Sequence, residues 1–324
     1  ADHHQCAVLL ALLVLWRVCP ADLEHARSVG GALQAQAELA AGAGLTVGLL
    51  VYANVARVPD SAASENGVPT VDLAPGAHGA TCTAPEGSDP TRVLVVGDSA
   101  MMQIAQALSD WCSANPGQIL VFSDAHLGCG TTRGGEKRYE EGDGSAGEVC
   151  ATWAEPADPA AVAGDVVSWV TAVEMWRPDV VVSTPSVWDS IDRRVDSLGD
   201  EWLKPGDEPY DRYLRSEYGE ALDVLSARGA TVAWIVMPRI NRTSPYNNPE
   251  RADRINEIVN PLVEALPRHA LIDFPGFLGP TGGPRDVEFR DDGVHIRADH
   301  LQVVADWLAP QLVRAGRDPA AGPP

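Results

Sequence analysis

Five short apolar runs, each followed by a stretch of helical character, dominate residues 91–315. The runs are Arg92–Val96, Ile119–Ser123, Asp179–Ser183, Thr231–Met237 and Ala270–Asp273. They are mostly continuous rather than alternating, as parallel strands covered on both faces require. Helical stretches fall at about 100–114, 158–176, 208–228 and 249–267, with a final one at 298–315. Gly229 closes the third of these as a C-cap, and Pro178 precedes the third strand. Strands alternating with helices predict an α/β fold, a three-layer, doubly wound parallel sheet with right-handed crossovers. Ligands bind such sheets beyond the carboxyl ends of the strands.

Gly97-Asp98-Ser99 stands at that end of the first run, and Asp292-Gly293-Val294-His295 precedes the final helix. A serine hydroxyl is a weak nucleophile until a neighbouring base takes its proton. His295 is the candidate base, because imidazole titrates near neutral pH. Asp292, three residues earlier, can accept from the other ring nitrogen, fixing the tautomer and stabilising the imidazolium. Asp291 competes for this role, with a spacing less suited to the same turn. Of the other histidines, His126 lies after the second strand and can line the site, whereas His269 precedes a strand and His300 lies on the final helix. Gly-Asp-Ser is by itself an ordinary turn tripeptide. With a strand before it, a helix after it and a distant Asp-x-x-His, it implies a nucleophile–base–orienter relay and serine-dependent acyl transfer.

This pairing resembles the SGNH (GDSL) hydrolase superfamily over roughly residues 91–315. The resemblance implies the flavodoxin-like form of the doubly wound sheet. It also implies an oxyanion hole made by the serine N–H, a glycine after the second strand and an asparagine after the third. Leu127-Gly128-Cys129-Gly130 stands where the glycine belongs, with Gly128 as the donor and a plain turn glycine as the alternative. One such donor is typically worth about 10²–10³ in rate. The third block departs from the pattern: Ser183-Thr184-Pro185-Ser186-Val187-Trp188-Asp189 holds no asparagine. Ser186 or the Trp188 indole would have to stand in, and Trp188 is equally well explained by packing. That tryptophan, with a Gly-Cys in the second block, looks like the extracytoplasmic SGNH domain fused to acyltransferase family three membrane proteins. The likeness implies transfer of acyl groups, often acetyl, to cell-envelope sugars, and a link to a membrane acyltransferase domain. Here that membrane part would be absent or truncated, because the roughly 90 residues before the first strand are too few for many spans of about twenty residues.

The N-terminal part divides into a helical segment, 1–57, and a Pro-, Gly- and Ser-rich linker, 58–90, ahead of a catalytic domain at 91–324. Cys6–Trp16 is apolar but short for a bilayer span and lacks a basic leader. Residues 39–56 carry no charge and are followed by Arg57. They are long enough for membrane association, and their Ala and Gly content equally suits a buried or peripheral helix.

A net charge of −21 argues against a nucleic-acid partner, since phosphate binding needs clustered cations. No Cys-x-x-Cys occurs, which argues against a zinc site, and no cofactor is expected. Four of the six cysteines fall between 82 and 150. Two disulfides there would suit an oxidising, extracytoplasmic compartment. Cys82–Cys112 with Cys129–Cys150 is the preferred pairing, although four cysteines allow three connectivities and four reduced thiols are the alternative. Gly128–Gly147, rich in Gly and charge, reads as a mobile flap or loop. The loop Pro238–Pro249 contains Asn241 in a glycosylation-type Asn-Arg-Thr, and its polar and aromatic side chains can bind sugar. Trp188 and Asn241 are the candidate substrate-binding residues. The expected partners are an acyl donor and a glycan or small ester. A secreted esterase using water, and a non-catalytic glycan-binding module, are the competing readings.

Overall fold

The computed structural model describes residues 80–139, 142–145, 150, 153–155, 168–241 and 246–317. The chain divides into two units at Ala62–Ala63. The apolar runs 6–16 and 39–56, the linker before residue 80 and residues 158–167 of the helix expected at 158–176 lie outside the described residues. Among the described residues no helix is long and apolar enough to cross a membrane.

All five expected strands form one parallel sheet. They are β1 (Thr91–Gly97), β2 (Ile119–Ala125), β5 (Val180–Ser183), β7 (Thr231–Ile235) and β8 (His269–Ile272), in the order β2-β1-β5-β7-β8. Register is unbroken from Thr91↔Ile119 to Gly97↔Ala125, and Val93↔Val180 starts the pairing on the other side of β1. Val93 to Val96 are completely buried, with successive side chains entering opposite layers. One layer packs Val93 and Val95 against α1 (Ser99–Ala114) and α7 (Leu301–Arg317). The other packs Leu94 and Val96 against α2 (Trp169–Trp176), α3 (Glu208–Ser226) and α4 (Pro249–Glu264). Each helix supplies a stripe at helical spacing, such as Met101, Ile104, Ala105, Leu108 and Cys112 on α1. The chain leaves β1 first toward β2 and later toward β5, so the topological switch point falls at the carboxyl end of β1. Ser99 is there.

Two ends differ from expectation for local reasons. β8 stops before Asp273, because that carboxylate caps a short helix, α5 (Phe274–Leu278), by accepting from Gly276 N. β7 stops at Ile235, and Met237 N donates to Asn256 Oδ1 on α4 instead of to a strand. A further short helix, α6 (Pro284–Phe289), precedes the Asp-x-x-His segment.

The flap expected over Gly128–Gly147 is in part a hairpin. β3 (Glu136–Tyr139) pairs antiparallel with β4 (Gly142–Ser145) and with β6 (Arg193–Arg194) in a second sheet of order β4-β3-β6. Its charged residues give no apolar alternation, yet Lys137 and Arg193, register partners, are buried. Both preferred disulfides are present. Cys82–Cys112 ties the segment before β1 to α1, and Cys129–Cys150 holds the loop that follows β2.

Candidate active site

Ser99 is the first residue of α1, so its backbone N–H lies at the positive end of a sixteen-residue helix. The strand-to-helix turn depends on Gly97, whose φ is +137° and at which a Cβ would lie 2.6 Å from Met101 Cγ. Asp98 caps the helix by accepting from Ala100 N at 3.0 Å.

Chain folding brings the two motifs together. Ser99 Oγ lies 2.8 Å from His295 Nε2, and His295 Nδ1 lies 2.6 Å from Asp292 Oδ2. Ser99 is 4% exposed and His295 7%. With the Nδ1 proton donated to Asp292, Nε2 is left to accept from the serine. The other Asp292 oxygen accepts from Val294 N and His295 N, at 2.8 and 2.7 Å, and fixes the turn. Asp291, the competing orienter, is turned toward Arg297 at 3.5 Å.

The electrostatics fit a base in reserve. Burial by itself would lower the His295 pKa, but the hydrogen bond and charge of Asp292, aided by the charge of Asp98, hold it above 6.5. Burial would raise Asp292, yet its bonds to His295 and the turn N–H groups hold it below the usual carboxylate value. Asp98 is pushed up by burial, against the opposing hydrogen bond from Ser186.

The histidine loop is braced from three sides. Ile296 N donates to Gln103 Oε1 on α1 at 2.8 Å, which couples the histidine loop to the helix that Ser99 begins. Arg290 donates to the carbonyls of Gly293 (3.1 Å) and Arg239 (3.0 Å) and is paired with Asp286, the Arg290 and Asp286 side chains both being buried. Asn241 N donates to Gly293 O at 3.3 Å, and a Cβ at Gly293 (φ +79°) would lie 2.9 Å from Asn241 N. The Asn241 side-chain oxygen faces Gly282. Asn241 therefore braces this loop.

The loop after β2 is anchored by the block that lacks asparagine. Ser186 Oγ donates to Asp98 Oδ2 at 2.6 Å and lies 3.3 Å from Cys129 O. Its single proton is thus committed, and Ser186 does not replace the absent amide as an oxyanion donor. Asp189 accepts from Thr131 N (2.9 Å), Thr132 N (3.2 Å), the Thr132 hydroxyl and Tyr218 OH (2.7 Å). Lys137 Nζ donates to Gly128 O at 3.2 Å and sits 5.3 Å from the Trp188 ring centre. Burial, reinforced by the Arg193 charge, pushes the Lys137 amine down to about 7, against the pull of Asp189 and Asp98. Trp188 thus packs against Lys137, and Gly128 lies in the loop that Lys137 tethers, with φ +76° and open space beside its Cα. His126 pairs with Asp124 at 2.8 Å, and its main-chain N donates to Gly97 O at 2.8 Å.

Sequence reasoning located the relay but missed Gln103, Asp98 as a shared anchor, and the Ser186–Asp189 struts. A polar side chain gives no sign in sequence of a partner tens of residues away. The one available signal is a Ser and an Asp, Ser186 and Asp189, in the block where the resemblance implies an asparagine.

Fold and site together define an α/β protein with a buried Ser-His-Asp relay at the switch point of a parallel sheet, an arrangement able to activate a serine against an acyl carbon. No family model matches the sequence. No curated protein matches it either. Solved structures do match it. The chain is similar to a Bacteroides fragilis protein described provisionally as an acylhydrolase, at 11% identity over 72% of this chain and 91% of that one, with a TM-score of 0.45. It is similar to a GDSL-like lipase of Bacteroides thetaiotaomicron, at 10% identity over 69% and 89%, TM-score 0.43. A mutant acetyl-xylooligosaccharide esterase of Geobacillus stearothermophilus is similar at 15% identity over 70% and 95%, TM-score 0.40.

Proposed function

We propose that this protein transfers acyl groups through an acyl-Ser99 intermediate, most specifically an O-acetyl group to or from a cell-envelope glycan. The carrying observation is the relay Ser99 Oγ–His295 Nε2–Nδ1–Asp292, with distances of 2.8 and 2.6 Å. Ser99 Oγ attacks the acyl carbon while its proton passes to His295 Nε2. The N–H groups of Ser99 and Gly128 receive the developing oxyanion. The ester C–O bond breaks, the leaving alkoxide takes the proton from His295, and an acyl-Ser99 ester remains. An acceptor hydroxyl, activated by the same histidine, then removes the acyl group. A sugar hydroxyl makes the protein a transferase and water makes it an esterase. Trp188 and Asn241 serve by bracing the two catalytic loops. Two disulfides support an extracytoplasmic setting.

The test is to incubate the protein with an activated acetyl ester and a glycan oligomer and to weigh the products by mass spectrometry. Ser99-dependent acetylation of the oligomer is the expected result; Ser99-dependent release of free acetate alone assigns the esterase. Equal turnover by Ser99→Ala would remove the proposal.

A further inference from the structure

Lys137 lies in β3 and is 1% exposed. Its Nζ donates to Gly128 O at 3.2 Å and sits 5.3 Å from the Trp188 ring centre. Three charged groups bear on it: Arg193, its register partner on β6, and the carboxylates of Asp189 and Asp98. Burial disfavours an ammonium, and an apolar side chain of the same length would avoid that penalty. Stability alone is therefore a poor account of a lysine here. A buried amine tethered to a loop of the candidate site points instead to a role in that site.

The loop shows which role. Cys129 N donates to His126 O at 3.3 Å, closing a four-residue turn with Gly128 in third place. The Gly128 φ of +76° is what a type II turn requires there, and glycine adopts it without strain. Among the described residues no group accepts from the Gly128 N–H, so that donor is open to a ligand. The peptide unit joining Gly128 to Cys129 is clamped at both ends, its carbonyl by Lys137 and its N–H by His126 O. A glycine released from that clamp regains the freedom to turn its N–H elsewhere.

We propose that Lys137 is a positioning residue for acyl transfer, its buried ammonium holding the Gly128 carbonyl so that the Gly128 N–H is aimed at the oxyanion. The inference rests on the acyl-Ser99 reading above and adds a residue that acts through Gly128 without touching the substrate. The bond from an ammonium is charge-assisted and about twice as strong as one from a neutral amine. Positioning therefore weakens when Lys137 loses its proton, which burial and the Arg193 charge bring down to about 7.

The test compares the wild type with Lys137→Met on p-nitrophenyl acetate, across the pH range in which Lys137 and His295 titrate and at a temperature where both proteins are folded. At the acid end of that range the variant loses about 10–10²-fold in kcat, less than removal of an oxyanion donor itself, with KM changed less than about twofold. The ratio of wild-type to variant kcat cancels the His295 limb, which both share. It falls about fivefold as pH rises through about 7, as the ammonium becomes a neutral donor. A lysine that only stabilised the fold would leave the ratio flat. Lys137→Gln, which keeps a neutral donor, gives a smaller ratio with the same pH dependence and replaces Lys137→Met if that variant does not fold. A flat ratio, or a folded variant with wild-type kcat, overturns the role of Lys137 and leaves the acyl-transfer reading intact. Absence of hydrolysis by the wild type, or full activity of Ser99→Ala, overturns both.

Discussion

Ser186 Oγ donates to Asp98 Oδ2 at 2.6 Å, so the residue before Ser99 is held by the block in which the resemblance implies an asparagine. A strut and an oxyanion donor fail differently when removed. Ser186→Ala leaves a buried carboxylate short of a partner, at about 1–3 kcal/mol of stability. An oxyanion donor would instead cost about 10²–10³ in kcat at unchanged stability. The strut predicts a lowered denaturation midpoint with kcat reduced less than tenfold, read by urea unfolding beside steady-state kinetics.

The pH profile follows from His295. As the proposed base it can accept a proton only when neutral, and its partners hold its pKa above 6.5. Activity should fall as pH drops through a midpoint above that value. In Asp292→Ala the strongest opposition to burial is gone, so the residual activity should show its acid limb at lower pH than the wild type. Its kcat should fall about 10³–10⁴-fold, as a mis-oriented base implies. A limb that stays in place would contradict Asp292 as the orienter.

Lys137 sets a second pH dependence, in stability. Its amine is held at about 7 in the folded protein and returns to about 10.5 on unfolding. Between those values the unfolded chain binds a proton that the folded one does not, so this group makes stability rise with pH across that window. Lys137→Met cannot titrate. The wild type should therefore gain on the variant as pH is raised from 7 to 10, measured by denaturant unfolding at each pH. A constant difference would place the amine in water.

The two disulfides should separate stability from turnover. Replacing Cys82 and Cys112 by serine should cost stability, about 3.6 kcal/mol for a loop of this size, and leave kcat nearly unchanged. Replacing Cys129 and Cys150 should cost both, because Gly128 loses a neighbouring anchor.

Much of the fold was legible because the parallel strands are buried on both faces and write themselves as apolar runs. Val93–Val96 and Thr231–Ile235 are examples. The relay was legible because its residues are chemically rare in combination and stand at strand and helix ends. The hairpin was not, since Lys137 and Arg193 read as solvated charges. Their burial depends on Gly128 O, Thr132 and Asp189, which only the folded chain assembles. Gln103 was hidden for the same reason: its partner, Ile296 N, is 193 residues away. Asn241 lies in a loop with sugar-binding composition, but its main chain is occupied in holding Gly293.

The central claim is that Ser99 becomes covalently acylated with His295 as its base. Exposure to an activated alkyl phosphonate, followed by intact-mass and peptide mass spectrometry, tests it directly. The account predicts one adduct, on Ser99, absent from Ser99→Ala and formed at least about 10²-fold more slowly in His295→Ala. An adduct on another residue with Ser99 unmodified, or equal labelling of the His295 variant, would contradict it.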